Sequence, residues 1–223
     1  TYLAHENRWD EDYFAKIGLG DLSADGFRRI GARVVPPGTP LGAGLNDDAA
    51  MAMGLRPGTA VGAGLIDAHA GGIGTGAARG GAENPAACLG YVFGTSSCTM
   101  TTTTEPVSVP GVWGPYYSAM VPGMWLNEGG QSAAGAAIDQ LLSLHPYADR
   151  ARTNAGQEGL GLPQWLAAKA LASVDEPSNA AFVAGQLNVV PEFLGNRAPF
   201  ADPAARAVVM GLGMETGVES LVA

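Results

Sequence analysis

Val61-Gly-Ala-Gly-Leu-Ile-Asp-Ala-His-Ala-Gly-Gly-Ile-Gly-Thr-Gly76 begins as a short apolar run and delivers a carboxylate, Asp67, followed at once by small residues. An apolar run of this length between Gly and Pro residues reads as a strand buried on both faces. In an α/β sheet such a strand hands its last residue to the crevice at its carboxyl end, where ligands sit. Two roles for Asp67 are open on spacing alone. It is the N-cap of a following helix, or a general base that takes a proton from a substrate hydroxyl. His69 is either a partner in that site or a polar turn residue. Gly72-Ile-Gly-Thr-Gly76 is not a dinucleotide fingerprint, because Asp67 and His69 separate the strand from the glycines and the third glycine is misplaced. It reads as a closely packed turn.

Working outward, the composition narrows the classes. The chain has 223 residues, with 33 Gly and 15 Pro spread through apolar segments, which describes a loop-rich globular chain. Its net charge of −9 argues against a nucleic-acid partner, since phosphate backbones are met by clustered Lys and Arg. Cys88 and Cys98 have neither metal-ligand spacing nor a disulfide framework, so a reduced, cytoplasmic setting is expected. No apolar stretch reaches the roughly 18 residues that span a bilayer, so no membrane partner is expected. The chain starts at Thr1 without Met and stops where Thr216–Ser220 reads as a helix start. It reads as a piece of a longer protein.

Upstream of the opening stretch, helices are expected over 9–18, 21–31 and 45–54, the last with Asn46 or Asp47 as N-cap and Gly54 as stop. Downstream, a polar Gly-rich connection at 79–85 marks a boundary near residues 78–87. Ala87–Phe93 and Cys98–Thr104 read as a hairpin with Gly94-Thr-Ser-Ser97 at its tip. Tyr116–Met120 and Met124–Asn127 form a second strand pair. Helices are expected over Gln131–His145 and Leu162–Val174, with Pro163 opening the second. Gln186–Phe193 and Val208–Leu212 read as further strands.

Two more constellations carry chemistry. The tip residues Gly94, Thr95 and Ser96 form either an ordinary polar turn or a phosphate cradle of N–H and hydroxyl donors. Asn127, Glu128 and Gln131 gather around Gly129-Gly130 at an expected helix start. Glu128 there either serves the helix dipole or joins the two amides in binding a polyol. A hydrolase triad of Ser96, His69 and Asp67 is disfavoured, because there is no nucleophile elbow and Asp and His stand only two apart.

Taken in order, Gly64-Leu-Ile-Asp-Ala-His-Ala-Gly71, Gly94-Thr-Ser-Ser-Cys98, Gly111-Val-Trp-Gly-Pro-Tyr-Tyr117, Glu128-Gly-Gly-Gln-Ser132 and Gly195-Asn-Arg-Ala-Pro-Phe200 make the chain resemble the FGGY family of carbohydrate kinases, in its ribulokinase-like branch. The resemblance implies an α/β, actin-like and ribonuclease-H-like ATPase fold, present in part as the end of the first domain (1–86) and the beginning of the second (87–223). It implies ATP and Mg²⁺ as cofactors and a pentulose or pentitol as acceptor, D-ribulose being favoured. Asp67 then matches the catalytic base, Gly94, Thr95 and Ser96 match a phosphate-binding motif, and Glu128 matches a sugar-contacting carboxylate. Gln131, His69 and Asn127 join the substrate site, and no residue is assigned to a metal. The reading leaves room for a homodimer. The family's N-terminal Asp-Gly-Thr-type phosphate motif and C-terminal Gly-rich adenine motif are absent, and Ala207 stands where the family usually has Gly. The isolated chain is therefore expected to be inactive. The rival reading is a non-catalytic, sugar-binding remnant of such a kinase.

Overall fold

The computed structural model describes residues 1–31, 33–77 and 83–222. Residues 78–82 lie outside the described residues, and with them most of the Gly-rich connection. The chain forms two compact units, Thr1–Val92 with Thr99–Glu128, and Phe93–Cys98 with Gly129–Ala223.

The first unit opens with the two-residue strands β1 (Tyr2–Leu3) and β2 (Arg8–Trp9), paired antiparallel. Helices α1 (Glu11–Lys16) and α2 (Asp21–Ala24) follow and bury Phe14, Leu22 and Phe27 against Trp9. Asp10 caps α1 by accepting the Tyr13 N–H, and acidic residues fill its first turn, as the helix dipole favours. Helix α3 (Asp47–Met53) is built as its sequence dictates. Asn46 Oδ1 accepts the Ala49 N–H at 2.8 Å, and Gly54 closes the helix with φ +66°.

The strand expected over residues 61–66 does not form. The Leu41 and Gly38 N–H groups donate to the Val61 and Ala63 carbonyls, and Ala63 N–H to Thr39, each at 2.8 Å. Only the Pro40–Gly62 bridge has β geometry. The physical reason lies in the glycines. Gly62 and Gly64 contribute no side chain, and Ile66 is 63% exposed, so the run has little apolar surface to bury in a sheet. It pairs instead with another Gly- and Pro-rich loop, and the two backbones approach so closely that a Cβ on Gly62 would lie 3.4 Å from Gly38.

Helix α4 (Asp67–Ala77) then contains the whole glycine run, which the sequence suggested was a turn. Glycine is required here by close packing. A Cβ on Gly72 would stand 2.8 Å from Met120 Sδ, and one on Gly90 would stand 3.1 Å from Gly72 Cα. The helix thus lies tight against β3 (Leu89–Phe93), the edge of a four-stranded sheet. Its other strands are β4 (Ser97–Thr103), β5 (Trp113–Tyr117) and β6 (Trp125–Gln131), in the order β3-β4-β6-β5. Met100 and Leu126 are its most buried side chains. β5 and β6 run antiparallel, Trp113 opposite Glu128 and Tyr117 opposite Trp125, with a register shift between. Gly114 sits in that shift at φ +115°, where a side chain would meet the Leu126 carbonyl.

The second unit is mainly helical. It holds α5 (Gly135–Ser143), α6 (Ala148–Gln157) and α7 (Leu162–Ala172), packed around Leu142, Ala151, Leu162, Leu166 and Val218. Pro163 is the second residue of α7, where its missing N–H donor has no intrahelical acceptor to lose. Helix α6 escapes a hydrophobic pattern search because its buried face is only Ala148, Ala151 and Ala155. Short strands β7 (Asn188–Val190) and β8 (Val208–Met210) pair antiparallel, shorter than the expected 186–193 and 208–212. A 3₁₀ turn, Val218–Leu221, stands where a helix start was read. No helix among the described residues is long and apolar enough to cross a membrane.

Candidate active site

In the first unit, Asp67 is the first residue of α4. Ala70 N–H donates to the Ile66 carbonyl at 2.9 Å, so the cap position belongs to Ile66 and the N-cap reading of Asp67 is set aside. Asp67 Oδ1 instead accepts the adjacent Ala68 N–H at 2.8 Å, and the side chain is exposed. An exposed carboxylate in the first turn is favoured by the helix dipole and open to a substrate proton.

His69 is two positions along the same helix, which turns it about 200° away from Asp67 and into the interior. It is 5% exposed. Its Nε2 lies 3.1 Å from Glu128 Oε2 and its Nδ1 lies 3.3 Å from the Ala119 carbonyl oxygen. Glu128 is 8% exposed on β6, beside Leu126, which is fully buried. A carboxylate in such a place needs a partner to offset lost hydration, and His69 is one. Asn127, also buried, donates its Nδ2 to the Val107 carbonyl at 2.9 Å. Three of the residues singled out from the sequence, His69, Glu128 and Asn127, thus lie in the interior of this unit. Their partners there, the Ala119 and Val107 carbonyls, are backbone groups that no residue pattern announces.

Glu128 is not at a helix start. Strand β6 runs through Gln131 and α5 begins only at Gly135, which removes the dipole reading of Glu128 and shortens the helix expected from Gln131. The reason is in the second unit. The first N–H groups of α5 already have acceptors: Ala134 and Ala136 donate to the Thr95 carbonyl at 2.8 and 3.3 Å, and Gly135 donates to the Gly94 carbonyl at 2.9 Å. The hairpin tip, not a capping side chain, starts the helix.

That pairing orients the tip. In a trans peptide the C=O and the next N–H point in opposite directions. With the Gly94 and Thr95 carbonyls directed at α5, the N–H groups of Thr95 and Ser96 are directed away from it. Among the described residues neither donates to a backbone acceptor. Two such N–H groups beside the Thr95 and Ser96 hydroxyls suit an anion, and the tip residues Gly94 and Thr95 are exposed. Gly135 allows the approach, since a Cβ there would stand 2.7 Å from the Gly94 carbonyl oxygen. Gln131 is half-buried at the end of β6. Next to it, a Cβ on Gly130 would meet the Ser97 carbonyl at 2.9 Å and the Arg197 side chain at 3.5 Å. Arg197 belongs to the Gly195–Phe200 motif, which the sequence flagged without giving this residue a role. Among the described residues no three His, Cys, Asp or Glu side chains gather as a metal site.

Residues 89–223 match the model of the C-terminal domain of the FGGY family of carbohydrate kinases. The chain belongs to that family, and its fold is the α/β, actin-like and ribonuclease-H-like fold of these kinases. It is 42% identical over 228 residues to the human FGGY carbohydrate kinase domain-containing protein, covering 99% of this chain and 41% of the relative. It is 32% identical to the D-ribulokinase YDR109C of Saccharomyces cerevisiae over 236 residues, which cover 96% of this chain and 33% of that protein. Among solved structures, xylulose kinase from Rhodospirillum rubrum superposes with a TM-score of 0.55 at 26% identity, covering 85% of this chain and 33% of that one. The chain therefore spans less than half the length of the relatives it matches.

Proposed function

We propose that this chain is the central part of an ATP-dependent sugar kinase that phosphorylates the terminal hydroxyl of a pentulose or pentitol, D-ribulose first among them. Residues 1–86 belong to its N-terminal kinase domain and 87–223 to its C-terminal one. The observation that carries the reading is helix α4, which exposes Asp67 in its first turn and, two residues on, packs His69 onto the buried carboxylate of Glu128. One short element thus presents a base and supports a polar group suited to hydroxyls. The similarity to a D-ribulokinase supports the choice of acceptor.

In this mechanism Asp67 takes the proton of the acceptor hydroxyl as its oxygen attacks phosphorus. Glu128 and Gln131 accept and donate hydrogen bonds to the remaining hydroxyls and so fix which one reaches Asp67. The Thr95 and Ser96 N–H groups hold phosphate oxygens. ATP held at the Thr95 and Ser96 N–H groups would supply the phosphoryl group, and magnesium would neutralise charge on it.

The test is Asp67→Asn in the complete kinase, assayed against a panel of pentuloses and pentitols. The expected result is a fall in kcat of about 10²–10⁴-fold on the preferred acceptor. A variant with wild-type kcat rejects Asp67 as the base, and a complete protein that phosphorylates no member of the panel rejects the substrate class.

A further inference from the structure

We infer that Trp113 is a specificity-determining residue of the acceptor site: beside Glu128 on one face of the sheet, its indole offers an apolar wall to the C–H groups of the sugar, and the two side chains together read the configuration of a carbinol carbon. The inference rests on the reading of Glu128 as a sugar contact and adds to it the residue that tells one epimer from another.

Strand parity places the ring. In an antiparallel pair, residues directly opposite share a face, and successive residues alternate between faces. Tyr117 stands opposite Trp125, and their rings lie 5.0 Å apart on one face of β5 and β6. Tyr116 stands opposite Leu126 on the other face, and two residues further along β6 that face carries Glu128. Unbroken alternation would set Gly114 opposite Glu128 and send Trp113 to the face of Tyr117. The register shift between Trp113 and Tyr116 adds one residue to β5, so Trp113 comes to stand opposite Glu128. Gly114 permits the shift, since it sits at φ +115° and a side chain there would collide with the Leu126 carbonyl oxygen. A bulge next to a polar site re-aims a side chain, and here the side chain is an indole brought to a carboxylate.

Trp113 is half-buried. It already makes an interaction within the fold, and an indole, with two faces and an edge, still meets a ligand along its exposed part. Glu128 likewise interacts with more than His69, and a carboxylate offers about four lone-pair positions. Small-ligand sites combine aromatic walls with a few placed polar groups in this way. Each carbinol carbon of a pentulose or pentitol carries one hydroxyl and one hydrogen, and its epimer exchanges the two. Lying across this pair, the matching epimer turns its hydroxyl to Glu128 and its C–H to the indole. The other epimer turns a hydroxyl to a surface that cannot satisfy it, which lowers kcat/KM by about 10- to 100-fold.

The experiment assays the complete kinase as wild type, Trp113→Phe and Trp113→Ala on D-ribulose and D-xylulose, which are epimers at one carbon. It also follows tryptophan emission as each sugar is added without ATP. Wild type is expected to prefer one epimer by about 10-fold or more in kcat/KM. Trp113→Ala lowers that ratio by about 10-fold with the KM for ATP unchanged, whereas Trp113→Phe keeps most of it. The preferred sugar changes the emission of the wild type, and Trp113→Phe loses that change. A ratio within about twofold of wild type in folded Trp113→Ala overturns the inference. So does a wild type that does not distinguish the epimers, or an emission change that Trp113→Phe retains. If Trp113→Ala fails to fold, the emission of Trp113→Phe decides. A complete protein that phosphorylates no pentulose or pentitol brings down the proposed reaction and this inference with it, whereas phosphorylation with an unmoved epimer ratio removes Trp113 alone.

Discussion

Glu128 and the Gly94–Ser96 tip both offer polar groups, but they are made in opposite ways. Glu128 is a buried side chain that meets another side chain, His69, reached from a distant helix. The tip is exposed, and its useful groups are peptide N–H donors, turned outward because the carbonyls beside them cap α5. A sugar hydroxyl varies in position from one sugar to the next, so recognising it calls for a rigid side chain. A phosphate is the same in every nucleotide, and backbone donors in a fixed turn are enough for it. The contrast predicts that the first region is sensitive to side-chain chemistry and the second to backbone space.

Substitutions in the complete kinase sharpen or break that contrast. The largest effect among them is expected for Glu128→Ala. It lowers kcat/KM for the sugar by about 10- to 100-fold or more, and it costs about 1–3 kcal/mol of stability because His69 loses a buried acceptor. Steady-state kinetics and urea midpoints measure the two. Next is Gly135→Val, whose side chain collides with the Gly94 carbonyl oxygen. It costs about 1–3 kcal/mol and raises the KM for ATP while the KM for the sugar stays put. Equal effects on both substrates would show that the tip does not serve the nucleotide separately. Thr95→Ala removes a hydroxyl but no N–H, and is expected to raise the KM for ATP by only about 2- to 10-fold. A much larger loss would mean that the hydroxyl, not the peptide group, is the phosphate contact. Smallest is Asn46→Ala, which removes the N-cap of α3 and costs about 1 kcal/mol without altering either KM. It separates a stability effect from a site effect.

Local chemistry was read correctly where a single turn or cap decides the outcome. Asn46, Gly54 and the Gly94–Ser97 tip all do what their residue types favour. The misreadings share a cause. The Val61–Ile66 run has the apolar look of a strand, but burial depends on what lies alongside, and a glycine-rich loop does. The Gly72–Gly76 run has the look of a turn, but it lies within a helix whose Gly72 packs against Met120 and Gly90. In α6 the buried face is alanine, too weakly apolar to stand out from the sequence.

The sequence by itself determined the family, because five motifs in order are chemistry that survives without coordinates, and it singled out Asp67, Glu128 and the tip. Only the tertiary structure decided how they are arranged. The cap position before α4 belongs to Ile66 and leaves Asp67 in the first turn. β6 extends through Gln131, because the first N–H groups of α5 are taken by the hairpin tip. His69 turns inward to Glu128, a partner 59 residues away. Each of these depends on which backbone or side-chain group comes within hydrogen-bond reach across the fold. No local pattern of residue types contains that distance.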